Sequence, residues 1–223
     1  MAEDAGIKIR PDGPYLVTGV ASLRRTGLVR NEHERPVAWN DRDQVEHRDV
    51  YALCRCGASE NKPFCDGAHS KIDFDGGEAA DRRPIADRRR SYGSGSTELT
   101  DDKSLCWHAG CCVREHAQAW DLAAGERDGD QDQLLTEMVH LCPSGRLELF
   151  RDGQVDEPDL DPEIAIIDDG PLWVRGGIPV EAADGEPWEA RNRVSLCRCG
   201  ASKNKPFCDN SHVDAGFKDS GAE

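Results

Sequence analysis

The sequence predicts an α+β protein: a small β-rich cap carries two repeated cysteine loops, and a small α+β module lies between the repeats. Three observations point to this class. A sixteen-residue segment occurs twice, the β-branched runs are short, and residues 131–141 keep a helical periodicity. Residues 54–69 read CRCGASENKPFCDGAH and residues 197–212 read CRCGASKNKPFCDNSH, identical at thirteen of sixteen positions. Only 37% of residues are hydrophobic, and 22 glycines and 12 prolines interrupt them, which argues against one large doubly wound core. Small modules of this composition need internal staples.

Each copy of the loop follows a strand-like run, Val50-Tyr51-Ala52-Leu53 in the first and Val194-Ser195-Leu196 in the second. Upstream of each lies a Gly-Pro start and a second run, Tyr15 to Thr18 and Leu172 to Arg175. Pro14 stands 40 residues before Cys54 and Pro171 only 26 before Cys197, so the first copy is expected to carry an insertion around Thr26 to Asp41. The units are therefore 1–75 and 156–223. Residues 76–103, rich in Gly, Asp, Arg and Ser, read as a linker with a strand near Thr97 to Leu99. Residues 104–155 form the middle module. Leu134, Leu135, Met138, Val139 and Leu141 predict a helix over 131–141 that stops at Cys142-Pro143, and a shorter helix is expected over 114–122.

A net charge of -15 argues against nucleic acid as a partner, because phosphate neutralisation needs clustered Lys and Arg. No stretch is apolar enough to span a membrane, and the N-terminus has no signal-peptide pattern, so a soluble cytoplasmic protein is expected. In a reducing compartment ten cysteines point to metal or redox chemistry rather than disulfides. They fall in three groups: Cys54, Cys56 and Cys65; Cys106, Cys111, Cys112 and Cys142; Cys197, Cys199 and Cys208.

Cys54, Cys56, Cys65 and His69 supply three thiolates and an imidazole, and Cys197, Cys199, Cys208 and His212 repeat the set. Residues 65 and 69 share a face of a helical turn, which Asp66 is suited to start. The pair separated by one residue points the same way from an extended segment. Either one tetrahedral metal or one binuclear cluster fits this donor set. Three cysteines and a histidine also suit structural zinc, although zinc pairs more often have two to four residues between ligands.

The pattern C-x-C-x2-S-x3-P-x-C-D-G-A-H resembles the loop of the CDGSH iron–sulfur family, the relatives of mitoNEET. The resemblance implies a [2Fe–2S] cluster in each loop, with Cys54 and Cys56 on one iron and Cys65 and His69 on the outer one. Cys197 with Cys199, and Cys208 with His212, match in the second loop. It further implies that the two loops pack as an intrachain pseudo-twofold pair, so that a monomer is expected. Asn210 departs from the pattern, standing where the first copy has Gly67, and Asn tolerates the left-handed backbone better than most residues. Arg55, Lys62, Arg198 and Lys205 read either as basic residues screening the cluster or as ordinary exposed ones.

Cys106-Trp107-His108-Ala109-Gly110-Cys111-Cys112 and the later Cys142-Pro143-Ser144-Gly145 look similar to the divergent single-cluster ferredoxin-like family. Cys106, Cys112 and Cys142 match its cysteines, which implies a [3Fe–4S] cluster, or a [4Fe–4S] cluster with a fourth ligand from Cys111, His108 or solvent. No nucleophile–base pair or nucleotide loop is present, so the expected role is electron transfer, or storage and transfer of clusters with redox sensing, rather than stand-alone catalysis. A redox partner or an apo iron–sulfur acceptor is the implied partner. The alternatives are a zinc-stapled interaction module and the electron-transfer component of an oxidoreductase system.

Overall fold

In the computed structural model, which describes residues 5–219, the two repeats complete each other's sheets by lending a strand. The first repeat supplies β1 (Gly6–Ile9), β2 (Tyr15–Thr18), the hairpin of β3 (Leu23–Arg30) and β4 (Pro36–Gln44), and β5 (Val50–Leu53). The middle of the chain supplies β6 (Arg90–Ser94), β7 (Thr97–Asp101), α1 (Ala119–Ala124), α2 (Gly129–His140), β8 (Leu147–Arg151) and β9 (Gln154–Asp156). The second repeat supplies β10 (Glu163–Ile167), β11 (Leu172–Arg175), β12 (Val180–Glu181), β13 (Arg193–Leu196) and the helical turn α3 (Ser211–Asp214). The protein is α+β and sheet-rich.

One sheet has the order β12-β1-β2-β5 and the second β13-β11-β10-β3-β4. Strands β1 and β12 pair in parallel with Ile7 opposite Val180, and β10 and β3 pair in parallel with Ile164 opposite Leu23. A parallel pair cannot be closed by a tight turn. Here each is closed by partners from different repeats. Period-two alternation turns Ile7, Ile9, Tyr15 and Val17 inward from the first repeat, where they meet Ile164, Ile166, Leu172 and Val174 from the second in one core. The insertion in the first copy is the β3–β4 hairpin, whose second strand is mostly exposed.

The middle module is an antiparallel sheet, β6-β7-β8-β9, with α1 and α2 packed on it. Residues 90–101, expected to be mostly linker, are strands β6 and β7 of this sheet. Buried Thr97 and Leu99 alternate with Glu98, and Leu99 packs with Leu135, Met138, Leu147 and Leu149. Helix α2 begins two residues before the expected start because Asp128 and Gln131 form a capping box there. The shorter helix lies at 119–124 rather than 114–122. Ahead of it the chain is held open by the Val113–Gln118 bridge and by the Ala119 N–H donating to Cys112 O (3.1 Å). Among the described residues, no helix is long and apolar enough to cross a membrane.

Candidate metal centres

Strand β5 delivers the first loop. The Cys54 N–H donates to Pro63 O (2.8 Å) and the Cys65 N–H to Ala52 O (2.8 Å), which lays the two cysteine arms side by side. The Sγ atoms of Cys54 and Cys56 lie 3.7 Å apart, and Cys65 Sγ lies 3.4 Å from His69 Nδ1. Two sulfurs bound at about 2.3 Å to one tetrahedral ion are separated by about 3.7–3.8 Å, and a sulfur–nitrogen pair by slightly less. Each pair therefore has the bite of a chelate. Asp66 opens the turn that carries His69, accepting from Ala68 N–H (2.9 Å) while its other oxygen accepts from Glu60 N–H (2.9 Å).

The second loop repeats this geometry. Cys197 and Cys199 are 3.7 Å apart, Cys208 Sγ is 3.4 Å from His212 Nδ1, and Asp209 accepts from Ser211 and Lys203 N–H. Asn210 adopts φ +80° where Gly67 has +87°, and a Cβ at Gly67 would meet nothing within 4 Å. Space and conformation both admit the asparagine. Among the described residues, no three His, Cys, Asp or Glu side chains gather tightly enough for one ion. In each loop the donors associate two by two.

The loops abut through their backbones. Cys56 and Cys199 form a β-bridge, and a Cβ on Gly57 would stand 2.5 Å from Cys199 O, one on Gly200 2.6 Å from Cys56 O. Both glycines also sit at positive φ, so conformation and contact each require them. Tyr15 crosses between the repeats, its hydroxyl donating to Cys197 O (2.6 Å). Arg55 and Arg198 are not exposed, and the Arg198 charge acts on the donors Cys208 and His212 from within the fold. They are 1% and 2% accessible, and they hold loop carbonyls: Arg55 those of Arg10, Gly13 and Gly76, Arg198 those of Ile167 and Gly170. Lys62 donates to Ser59 O (2.6 Å).

The two loops differ in exposure. Cys208 and His212 are buried, whereas Cys65 and His69 are half-buried. Burial pushes the Cys208 thiol well up and the His212 imidazole down, with Arg198 adding to the latter. Cys197 is held below the ordinary thiol range, chiefly by the Cys199 thiol donating to it and further by the N–H groups of Ser202 and Gly200. In the first loop burial raises the Cys56 and Cys65 thiols.

All four middle cysteines line one pocket, together with Trp107, His108, Pro143 and Arg146. Adjacent Cys111 and Cys112 thus both border it, Cys111 and Cys142 buried and the other two half-buried. Burial pushes Cys112 up to about 11, and the nearby Cys142 thiol adds to the shift. The Cys106 sulfur accepts from His108 N–H (3.4 Å), while the His108 side chain is exposed. Arg193 fastens this pocket to the second repeat, donating to the carbonyls of Val139 (2.6 Å), Cys142 (2.7 Å) and Leu147 (2.9 Å). The other histidines stand outside these groups: His33 meets Glu115, and His140 meets Asp156.

A β framework that presents two matched sets of three thiols and an imidazole, with four more cysteines around a third pocket, is that of a metal-binding protein. Residues 12–70 and 169–213 match the family described as iron-binding zinc finger CDGSH type, and residues 92–152 match the divergent 4Fe-4S mono-cluster family. The chain is an iron–sulfur protein made of two CDGSH regions with a divergent mono-cluster region between them. No curated protein and no solved structure matches it.

Proposed function

We propose that the chain holds a [2Fe–2S] cluster in each repeated loop and a third cluster in the middle pocket, and that it passes electrons or clusters to a protein partner. The observation that carries this reading is the pairing of donors. Cys54 with Cys56, and Cys65 with His69, each have the separation of two ligands on one metal, as do their counterparts in the second loop. A binuclear centre uses two protein ligands per iron, whereas a lone zinc ion would draw all four donors together. Such clusters supply one-electron chemistry, and a neutral imidazole in place of a thiolate makes reduction easier, the direction seen in Rieske centres.

The residues around the donors do the rest. Backbone N–H groups of Gly67, Ala58, Gly200 and Ser202 favour the charged form of the sulfurs. Gly57 and Gly200 let the loops touch, and the equivalent pairings Ile7–Val180 and Ile164–Leu23 support an intrachain pseudo-twofold pair. The exchanged strands give each repeat, within one chain, the neighbour that a separate subunit would otherwise supply, which supports a monomer. In the middle module, Cys106, Cys112 and Cys142 are the proposed ligands, with Cys111 beside them. Iron, acid-labile sulfide and zinc analysis of protein purified without oxygen tests the reading. Two iron and two sulfide per loop, with a visible sulfide-to-iron absorption, are expected; one zinc per loop without sulfide would overturn it.

A further inference from the structure

The two loops share their donors, yet the outer sheet faces beside them do not match. In the second repeat β10 is buried at every position, and Ala165, Ile167 and Trp173 form an apolar layer with Cys208 and Trp107. In the first repeat the register places Lys8 where the second has Ala165, because Lys8 faces Leu16 as Ala165 faces Trp173. Lys8 and the following outward residue, Arg10, are exposed. What covers the second loop is the cysteine segment of the middle module. The Trp107 ring stands edge-on to the His212 ring at a centroid distance of 5.8 Å. Its indole N–H donates to Ser195 Oγ (3.0 Å), and that hydroxyl donates to Pro143 O (3.1 Å), so one β13 side chain pins both cysteine segments of the middle module.

We propose that the loops divide the work: the Cys65–His69 side of the first loop is the exchange site, open to an acceptor, while the Cys208–His212 side of the second is a retained site closed by Trp107. The proposal rests on the cluster reading above. The outer donors of the first loop are only half-buried, so less protein stands between them and an acceptor. Reaching those of the second requires the indole to leave its contacts with His212 and Ser195, a local opening whose free energy adds to the barrier for loss. Trp107 touches no reacting atom in this account; it acts as a positioned lid.

The experiment follows the visible absorbance of the full-length holoprotein, without oxygen at neutral pH, after adding excess EDTA. Loop clusters should decay in two phases whose rates differ by at least about tenfold. Cys65→Ser should lack the fast phase and Cys208→Ser the slow one, and Cys142→Ser identifies any contribution of the middle pocket. Trp107→Ala should accelerate the slow phase until it approaches the fast one, and should leave the fast phase unchanged. Trp107→Phe, which keeps a ring against His212, should restore slow decay, a rescue that separates shielding from general loosening. A single phase for both loops, a slow phase that survives Trp107→Ala, or equal acceleration of both phases would overturn the division while leaving the cluster assignment intact. Protein without iron and sulfide in the loops would overturn both.

Discussion

The two cysteine loops differ at only three of sixteen positions, yet one faces solvent and the other faces the middle module. Their inner halves are treated alike. Gly57 and Gly200 meet the opposite backbone at nearly equal distances, and Arg55 and Arg198 bind equivalent carbonyls. Their outer halves are not. Val50 is exposed on β5, whereas at its counterpart on β13 the fully buried Arg193 anchors the middle module and meets Glu157. Duplicated chemistry can thus be given unequal surroundings by changing residues that never touch a donor atom.

The largest effect should come from the shared contact. Gly57→Ala and Gly200→Ala each place a methyl group on a backbone carbonyl at positive φ, and each should cost more than about 3 kcal/mol in denaturant unfolding. Equal losses support the matched inner halves; a loss in one variant alone would break that part of the comparison. Arg193→Ala removes a buried ion pair with Glu157 and the guanidinium bonds to three carbonyls, and should cost about 3–5 kcal/mol. Val50→Ala, at the equivalent exposed site, should change stability by less than about 1 kcal/mol, and similar losses in the two would remove the asymmetry.

Acid provides a third test. An imidazole must be neutral to ligate, so protonation competes with the bond to iron as pH falls. Changing both His69 and His212 to Cys should slow bleaching of the spectrum below about pH 6, near the ordinary histidine range, and lower both potentials. Decay at the parent's rate would leave histidine without a role in release, and would favour electron transfer over delivery. The smallest effect is expected at the one substituted turn. Gly67→Asn should cost below about 1 kcal/mol, because space is open and Asn accepts the left-handed backbone. A larger loss would show that Asn210 depends on surroundings peculiar to the second loop.

Much of this was legible in the residues. The spacing of Cys54, Cys56, Cys65 and His69 identified side chains that the fold brings together as pairs, and the unequal distances from Pro14 and Pro171 marked the β3–β4 hairpin. Strand exchange was not legible, because pairing between distant segments leaves no local pattern. Strand β6 hid in a Gly- and Arg-rich stretch without alternation, whereas the start of β7 was legible at Thr97 to Leu99. The sequence left Arg55 and Arg198 either screening a cluster or exposed, because a single sequence does not show which carbonyls surround a guanidinium. One signal was available and informative. Ile164-Ala165-Ile166-Ile167 is apolar throughout where the matching Ile7-Lys8-Ile9-Arg10 alternates, the mark of a strand covered on both faces.

The most direct test of the account is the share of the [2Fe–2S] absorbance that each loop carries. Cys65→Ser and Cys208→Ser should each remove about half of it and about half of the loop-bound sulfide, since each loop holds a complete set of donors. Loss of the entire signal from either single change, or no loss from one of them, would contradict a cluster in each loop.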